Sequence, residues 1–201
     1  MHRGPRLSPA VRAGGLGGHY MPSQNLVTVS AALPAVVCTS KRTDAFVLGA
    51  LGGVIAHEIA HSLDTRNWGF YETGYASGNG PRYGLRRIVD RLVENASRDV
   101  RNGLIPHFSP AECKNELLAD YLSLSAGLRA LSDGGARLQD VRDFFLGWSS
   151  LWDTTGAARA IPYPPDLYRI MLVRNFDQFY YAFKCDSSSS MCVPSKDRVR
   201  L

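Results

Sequence analysis

The sequence predicts a mainly α fold with a small β element, an α+β lobe organised as one domain. Three observations predict it. Several long stretches place apolar residues at helical spacing, only one short stretch alternates, and 45% apolar content over 201 residues suffices for a single sizeable core.

The elements follow in chain order. Met1 to Gly18 holds Arg3, Arg6 and Arg12 among several glycines and has no apolar h-region. It is therefore not a secretory signal, and residues 1–18 are expected to be a disordered, basic, Gly-rich start to a lobe spanning 19–201. Asn25 to Ala32 alternates, with Val27, Val29 and Ala31 on one side, which reads as a half-buried strand ended by Pro34. Thr43 or Asp44 can cap a helix over Ala45 to Leu63, whose early glycines and alanines predict close packing against another element. The apolar run in it, Ala45 to Ala56, is too short to span a bilayer and ends in His57-Glu58, so no membrane segment is expected.

Thr65 to Gly84 reads as a long surface loop before a helix near Leu85 to Val100, with Leu85, Ile88, Val89 and Leu92 facing the core and Arg86, Arg87 and Arg91 opposite. Ser109-Pro110-Ala111-Glu112 has the parts of a capping box and predicts a helix from there through Glu116 and Asp120 to about Leu131, closed by Gly134-Gly135. Leu138 to Trp152 carries Val141, Phe144, Phe145, Trp148 and Trp152 on one stripe, a core-facing helix. A short helix over Phe176 to Phe183 and a Ser-rich turn at Ser187 to Ser190 complete the chain.

The formal net charge is +5, but the arginines are scattered with no run of like charge, which argues against a nucleic-acid partner. Cys38, Cys113, Cys185 and Cys192 contain no Cys-x-x-Cys pair, so a structural zinc knuckle is not expected and three disulfide pairings stay open. Asn95-Ala96-Ser97 is a glycosylation sequon, compatible with a secreted context without establishing one.

The chemistry concentrates on two helices. At i, i+4 and i+7, His57, His61 and Asp64 share one face, so two imidazoles converge on one point. Glu116 and Asp120 stand at i and i+4 on the later helix. Neutral imidazoles and a carboxylate suit one catalytic Zn²⁺ per chain, with His57, His61 and Glu116 as ligands and a fourth position left for water. Asp64 and Asp120 can accept the outer N–H of the two histidines. Glu58 leaves the helix about a hundred degrees from His57, where it can act as general base on that water.

These residues resemble the neprilysin and endothelin-converting-enzyme group of zinc metallopeptidases. Gly52 to Asp64 is similar to that family's glycine-led His-Glu-x-x-His-x-Phe-Asp helix, and Glu116-Leu117-Leu118-Ala119-Asp120 to its Glu-Asn-Ile-Ala-Asp motif. Tyr20 to Val27 resembles its upstream Tyr-x-Pro-x-x-Asn strand, and Phe144 to Trp148 with Arg169 to Cys185 its closing segment. The resemblance implies a thermolysin-like helical zincin lobe that hydrolyses short peptides on the amino side of apolar residues, located extracellularly or as a cell-surface ectodomain. It also implies a partner lobe upstream and a membrane anchor; with neither visible here, the chain is expected to be a fragment or a reduced form. Gly17-Gly18-His19-Tyr20 departs from the family's substrate-holding Asn-Ala-Phe-Tyr, and Tyr163 stands where the family has an oxyanion-donating histidine. Arg169 matches the arginine that binds the substrate's carboxylate or carbonyl. Two readings follow: a zinc endopeptidase, impaired to the extent that Tyr163 is a poorer donor, or a zinc-binding lobe with little or no turnover.

Overall fold

The computed structural model describes residues 17–64, 83–152, 160–186 and 188–201. Met1 to Leu16 and most of the expected loop at Thr65 to Gly84 lie outside the described residues. A two-stranded antiparallel ribbon opens the fold, β1 (Gly18–Met21) pairing with β2 (Leu26–Val29) in the register Gly18 to Val29 and Tyr20 to Val27. Gly18, assigned by sequence to the flexible start, is thus part of the folded lobe. The expected strand over Asn25 to Ala32 is shorter because its end turns into α1 (Ala32–Val37), a helix that sequence reading missed. Pro34 sits in the first turn of α1, where the ring removes no intrahelical hydrogen bond.

α2 spans Asp44–Leu63. Thr43 caps it, accepting a hydrogen bond from the Phe46 N–H. The helix is α-helical over Asp44–Val47, widens to a π turn at Leu48–Gly52, is α-helical again over Gly53–Ala60 and tightens to 3₁₀ at His61–Leu63. By length and composition it could cross a membrane, which exceeds the sequence expectation. It instead buries Phe46, Ala50, His57, Glu58 and Ala60 inside the lobe. The glycines explain how it packs: a Cβ on Gly49 would strike the Phe144 carbonyl, and one on Gly147 would strike the Phe46 carbonyl. α2 and α5 (Leu138–Ser150) therefore meet backbone to backbone.

α3 (Tyr83–Arg101) buries Ile88, Val89, Leu92 and Ala96 and leaves Arg86, Arg87 and Arg91 exposed. Asn95 is also buried; its amide donates to the Asp197 carbonyl and its Oδ1 accepts from Arg98. The folded chain accordingly offers no glycan acceptor at the sequon. α4 (Lys114–Asp133) begins four residues later than the Ser109-Pro110 signal predicted. Residues 109–113 form a turn in which the Glu112 and Cys113 N–H groups both donate to the Ser109 carbonyl, so the serine closes a turn and Cys113 stands at the N-cap position without a side-chain hydrogen bond. α6 (Asp166–Met171), unforeseen, and α7 (Asp177–Phe183) carry Tyr168, Met171 and Phe179 into a core shared with α3, α4 and α5. Cys185 and Cys192 form a disulfide, whereas Cys38 is exposed and Cys113 buried, both free.

Candidate metal centre

α2 packs directly on α4, and that contact assembles the site. His57 Nε2 lies 3.1 Å from His61 Nε2, 3.3 Å from Glu116 Oε2, and the second carboxylate oxygen is 3.6 Å from His61. One ligand atom from each of these three residues falls within 4.8 Å of the others. The imidazole planes are nearly perpendicular, at 89°. Glu116 reaches them from the first turn of α4, where the helix dipole favours a carboxylate.

The outer ring nitrogens are engaged elsewhere. His57 Nδ1 is 2.8 Å from Asp120 Oδ1, and His61 Nδ1 is 3.2 Å from Asp64 Oδ2. Asp64 reaches His61 because the helix tightens to 3₁₀ and ends there, the Asp64 N–H donating to the His61 carbonyl. With both Nδ1 atoms protonated towards carboxylates, both Nε2 atoms carry lone pairs towards one point. Glu116 Oε2 faces the same point, is buried, and has no hydrogen-bond partner. Three electron-rich atoms converging on one spot repel each other unless a cation joins them, so the donor set and its geometry fit a tetrahedral metal with one position open.

Without the cation, the proton takes its part. Burial works against a charged His57, but the Asp120 and Glu116 carboxylates outweigh it and push the ring up to about 9. Burial likewise opposes ionised Glu116 and Asp120; the first is held below its usual range chiefly by His57 and the second by Arg169 and His57.

Arg169 lies only 4% exposed, with Nε 2.7 Å from Asp120 Oδ2 and Nη2 2.5 Å from Oδ1. The guanidinium stacks on Trp152 at 3.7 Å, and the Trp148 indole N–H donates to the Arg169 carbonyl. Its nitrogens Nε and Nη2 are committed to holding Asp120, a contact that sequence reading did not foresee; Trp148 and Trp152 had signalled only core. Tyr163 follows the cis Ile161-Pro162 bond, is 44% exposed, and has its N–H bonded to the Ala160 carbonyl; no hydrogen bond joins it to the cluster. Glu58 is buried, turns towards Gly18 on β1, and forms no ion pair with either histidine.

Two histidines one turn apart on α2 and a glutamate on α4 form a donor set that could hold one metal ion. The chain belongs to peptidase family M13, whose model matches residues 18–199. It is 23% identical over 200 residues to a neutral endopeptidase of Lactococcus lactis subsp. lactis, covering 92% of this chain and 31% of the relative. It is 24% identical over 210 residues to human endothelin-converting enzyme 1, covering 92% of this chain and 27% of that protein. Among solved structures it is similar to the Mycobacterium tuberculosis zinc metalloprotease Zmp1 in its open state, with TM-score 0.76 and 25% identity over 92% of this chain and 32% of that one. The chain thus spans about a third of the length of the relatives it matches.

Proposed function

We propose that this lobe is a zinc endopeptidase centre acting on short peptides, with His57, His61 and Glu116 holding one zinc ion. The buried Glu116 carboxylate carries the reading: Oε2, which has no hydrogen-bond partner, faces His57 Nε2, and Oε1 faces His61 Nε2. Zinc would supply Lewis acidity, making a water acidic near neutral pH and polarising the scissile carbonyl. Glu58 accepts the proton from that water and passes it to the leaving amine. Asp64 and Asp120 fix the imidazole tautomers, and Arg169, which clamps Asp120 through Nε and Nη2, would also meet the substrate's carboxylate or carbonyl. Tyr163 would present its phenol to the developing oxyanion, a neutral donor where an imidazolium would bring charge. An extracellular or cell-surface location, supported by the Cys185–Cys192 disulfide, and an upstream lobe that walls the substrate cavity belong to the same proposal.

Zinc must displace the proton that His57 carries below about 9. Glu116 stays ionised through neutral pH, so affinity should rise by about tenfold per pH unit between about pH 6 and 8, and weaken as acid restores the proton. Chelator competition at three pH values, run beside peptide cleavage, tests this. Affinity independent of pH would remove His57 from the ligand set, and zinc retention without cleavage would select the binding-only reading.

A further inference from the structure

Three guanidinium groups lie over aromatic rings among the described residues. Arg42 over Phe46 and Arg198 over Tyr180 are only half-buried, whereas Arg169, at 3.7 Å from the Trp152 ring centroid, is buried. A cation stacked on an aromatic face gains most where water is kept away, and indole offers the best such face. The same indole is poorly served at its edge. Trp152 Nε1 is buried without a hydrogen-bond partner, although a buried indole N–H usually finds one. Apolar packing alone would be met by a phenylalanine or a leucine, neither of which leaves a buried donor unmatched. The part of Trp152 that has a polar partner is its face.

Arg169 is also gripped at its main chain. Trp148, in the last turn of α5, donates its indole N–H to the Arg169 carbonyl at 3.1 Å, and its ring meets the Trp152 ring with centroids 5.2 Å apart. Trp152 follows in the turn after α5, its main-chain N–H bonded to the Ser149 carbonyl. With the indole against one side, the plane of the guanidinium is set, and Nε and Nη2 meet the two Asp120 oxygens at 2.7 and 2.5 Å. Asp120 Oδ1 lies 2.8 Å from His57 Nδ1.

We propose that Trp152 is a positioning residue for the metal centre: its indole face fixes the plane of the Arg169 guanidinium, which orients Asp120 and through it the His57 ring. The role rests on the reading of His57 as a zinc ligand. Trp152→Leu keeps an apolar side chain and removes the aromatic face, so the guanidinium is free to tilt away from Asp120. Trp152→Phe keeps a smaller face.

The test reads the clamp and the metal separately. On the metal-free chain, NMR of the arginine side chains follows solvent exchange of the Arg169 Nε–H, which its bond to Asp120 protects. Trp152→Leu should speed that exchange by about tenfold or more and Trp152→Phe by about two- to threefold. Zinc affinity by chelator competition should fall about three- to tenfold in Trp152→Leu, less than the about 10- to 100-fold expected when the outer partner of a ligand histidine is itself removed. In an Asp120→Asn background Trp152→Leu should weaken zinc no further, because the path through which it acts is already cut; a merely structural role would subtract equally in both backgrounds. Equal losses in the two backgrounds, or wild-type exchange in Trp152→Leu, would overturn the proposal. Should Trp152→Leu fail to fold, Trp152→Phe decides, and wild-type exchange in that variant would overturn it. A wild-type chain that binds no zinc would strike the underlying reading and the role at the metal with it, while the exchange rates would still report the clamp on Arg169.

Discussion

Glu58→Gln should abolish peptide hydrolysis while leaving the metal in place. The substitution keeps the shape of a side chain packed against β1 and removes only its capacity to take a proton. Loss of a general base costs about 10²- to 10⁴-fold in rate, so residual turnover should sit near the detection limit of a quenched fluorescent peptide assay. Zinc content, measured on the same preparation, should match wild type because Glu58 pairs with neither histidine. Turnover equal to wild type would place the hydrolysis at another group or another protein.

The largest effect on metal binding is expected from Glu116→Ala. Glu116 is the one carboxylate facing both Nε2 atoms, so its loss should lower zinc affinity by more than the about 10- to 100-fold expected for Asp120→Asn, which acts through the outer nitrogen of His57. Asp120→Asn also removes the nearer of two carboxylates paired with the buried Arg169, leaving Glu116 at 3.9 Å, and part of its effect will show as lower stability. Glu116→Ala removes only the longer pair to Arg169 and leaves the Asp120 contact intact, so its metal-free Tm should fall less. Wild-type zinc affinity in Glu116→Ala would dismiss the glutamate as a ligand, and circular dichroism distinguishes that outcome from misfolding.

The centre was legible because its parts are local repeats. His57 and His61, like Glu116 and Asp120, are one helical turn apart, and a helix projects such pairs to one side whatever surrounds it. The long amphipathic stretches at Leu85 and Leu138 were legible for the same reason. Features that depend on chain folding back were not. Arg169 meets Asp120 across 49 residues, and nothing in the local pattern of either announces the pair. Ser109-Pro110 has the composition of a helix start, yet its carbonyl closes a turn and the helix begins at Lys114. Pro34 reads as a strand terminator while serving in the first turn of α1. Gly18 looked like one more glycine in a glycine-rich stretch; that it lies against Glu58, forty residues on, shows only once the chain folds back.

The π turn at Leu48–Gly52 sets the angular phase between the two working stripes of α2. Upstream of its end, Gly49 is locked against the α5 backbone; downstream, His57 and His61 are aimed at Glu116. A π turn advances the chain by less per residue than the about 100° of an α-helix, so winding the same five residues as regular α-helix would rotate one stripe against the other by several tens of degrees. The helix could then keep its seam with α5 or its aim at Glu116, but not both. α2 thus works as a keyed shaft: the glycine seam is the key, and the wide turn is the offset that brings the histidines to bear.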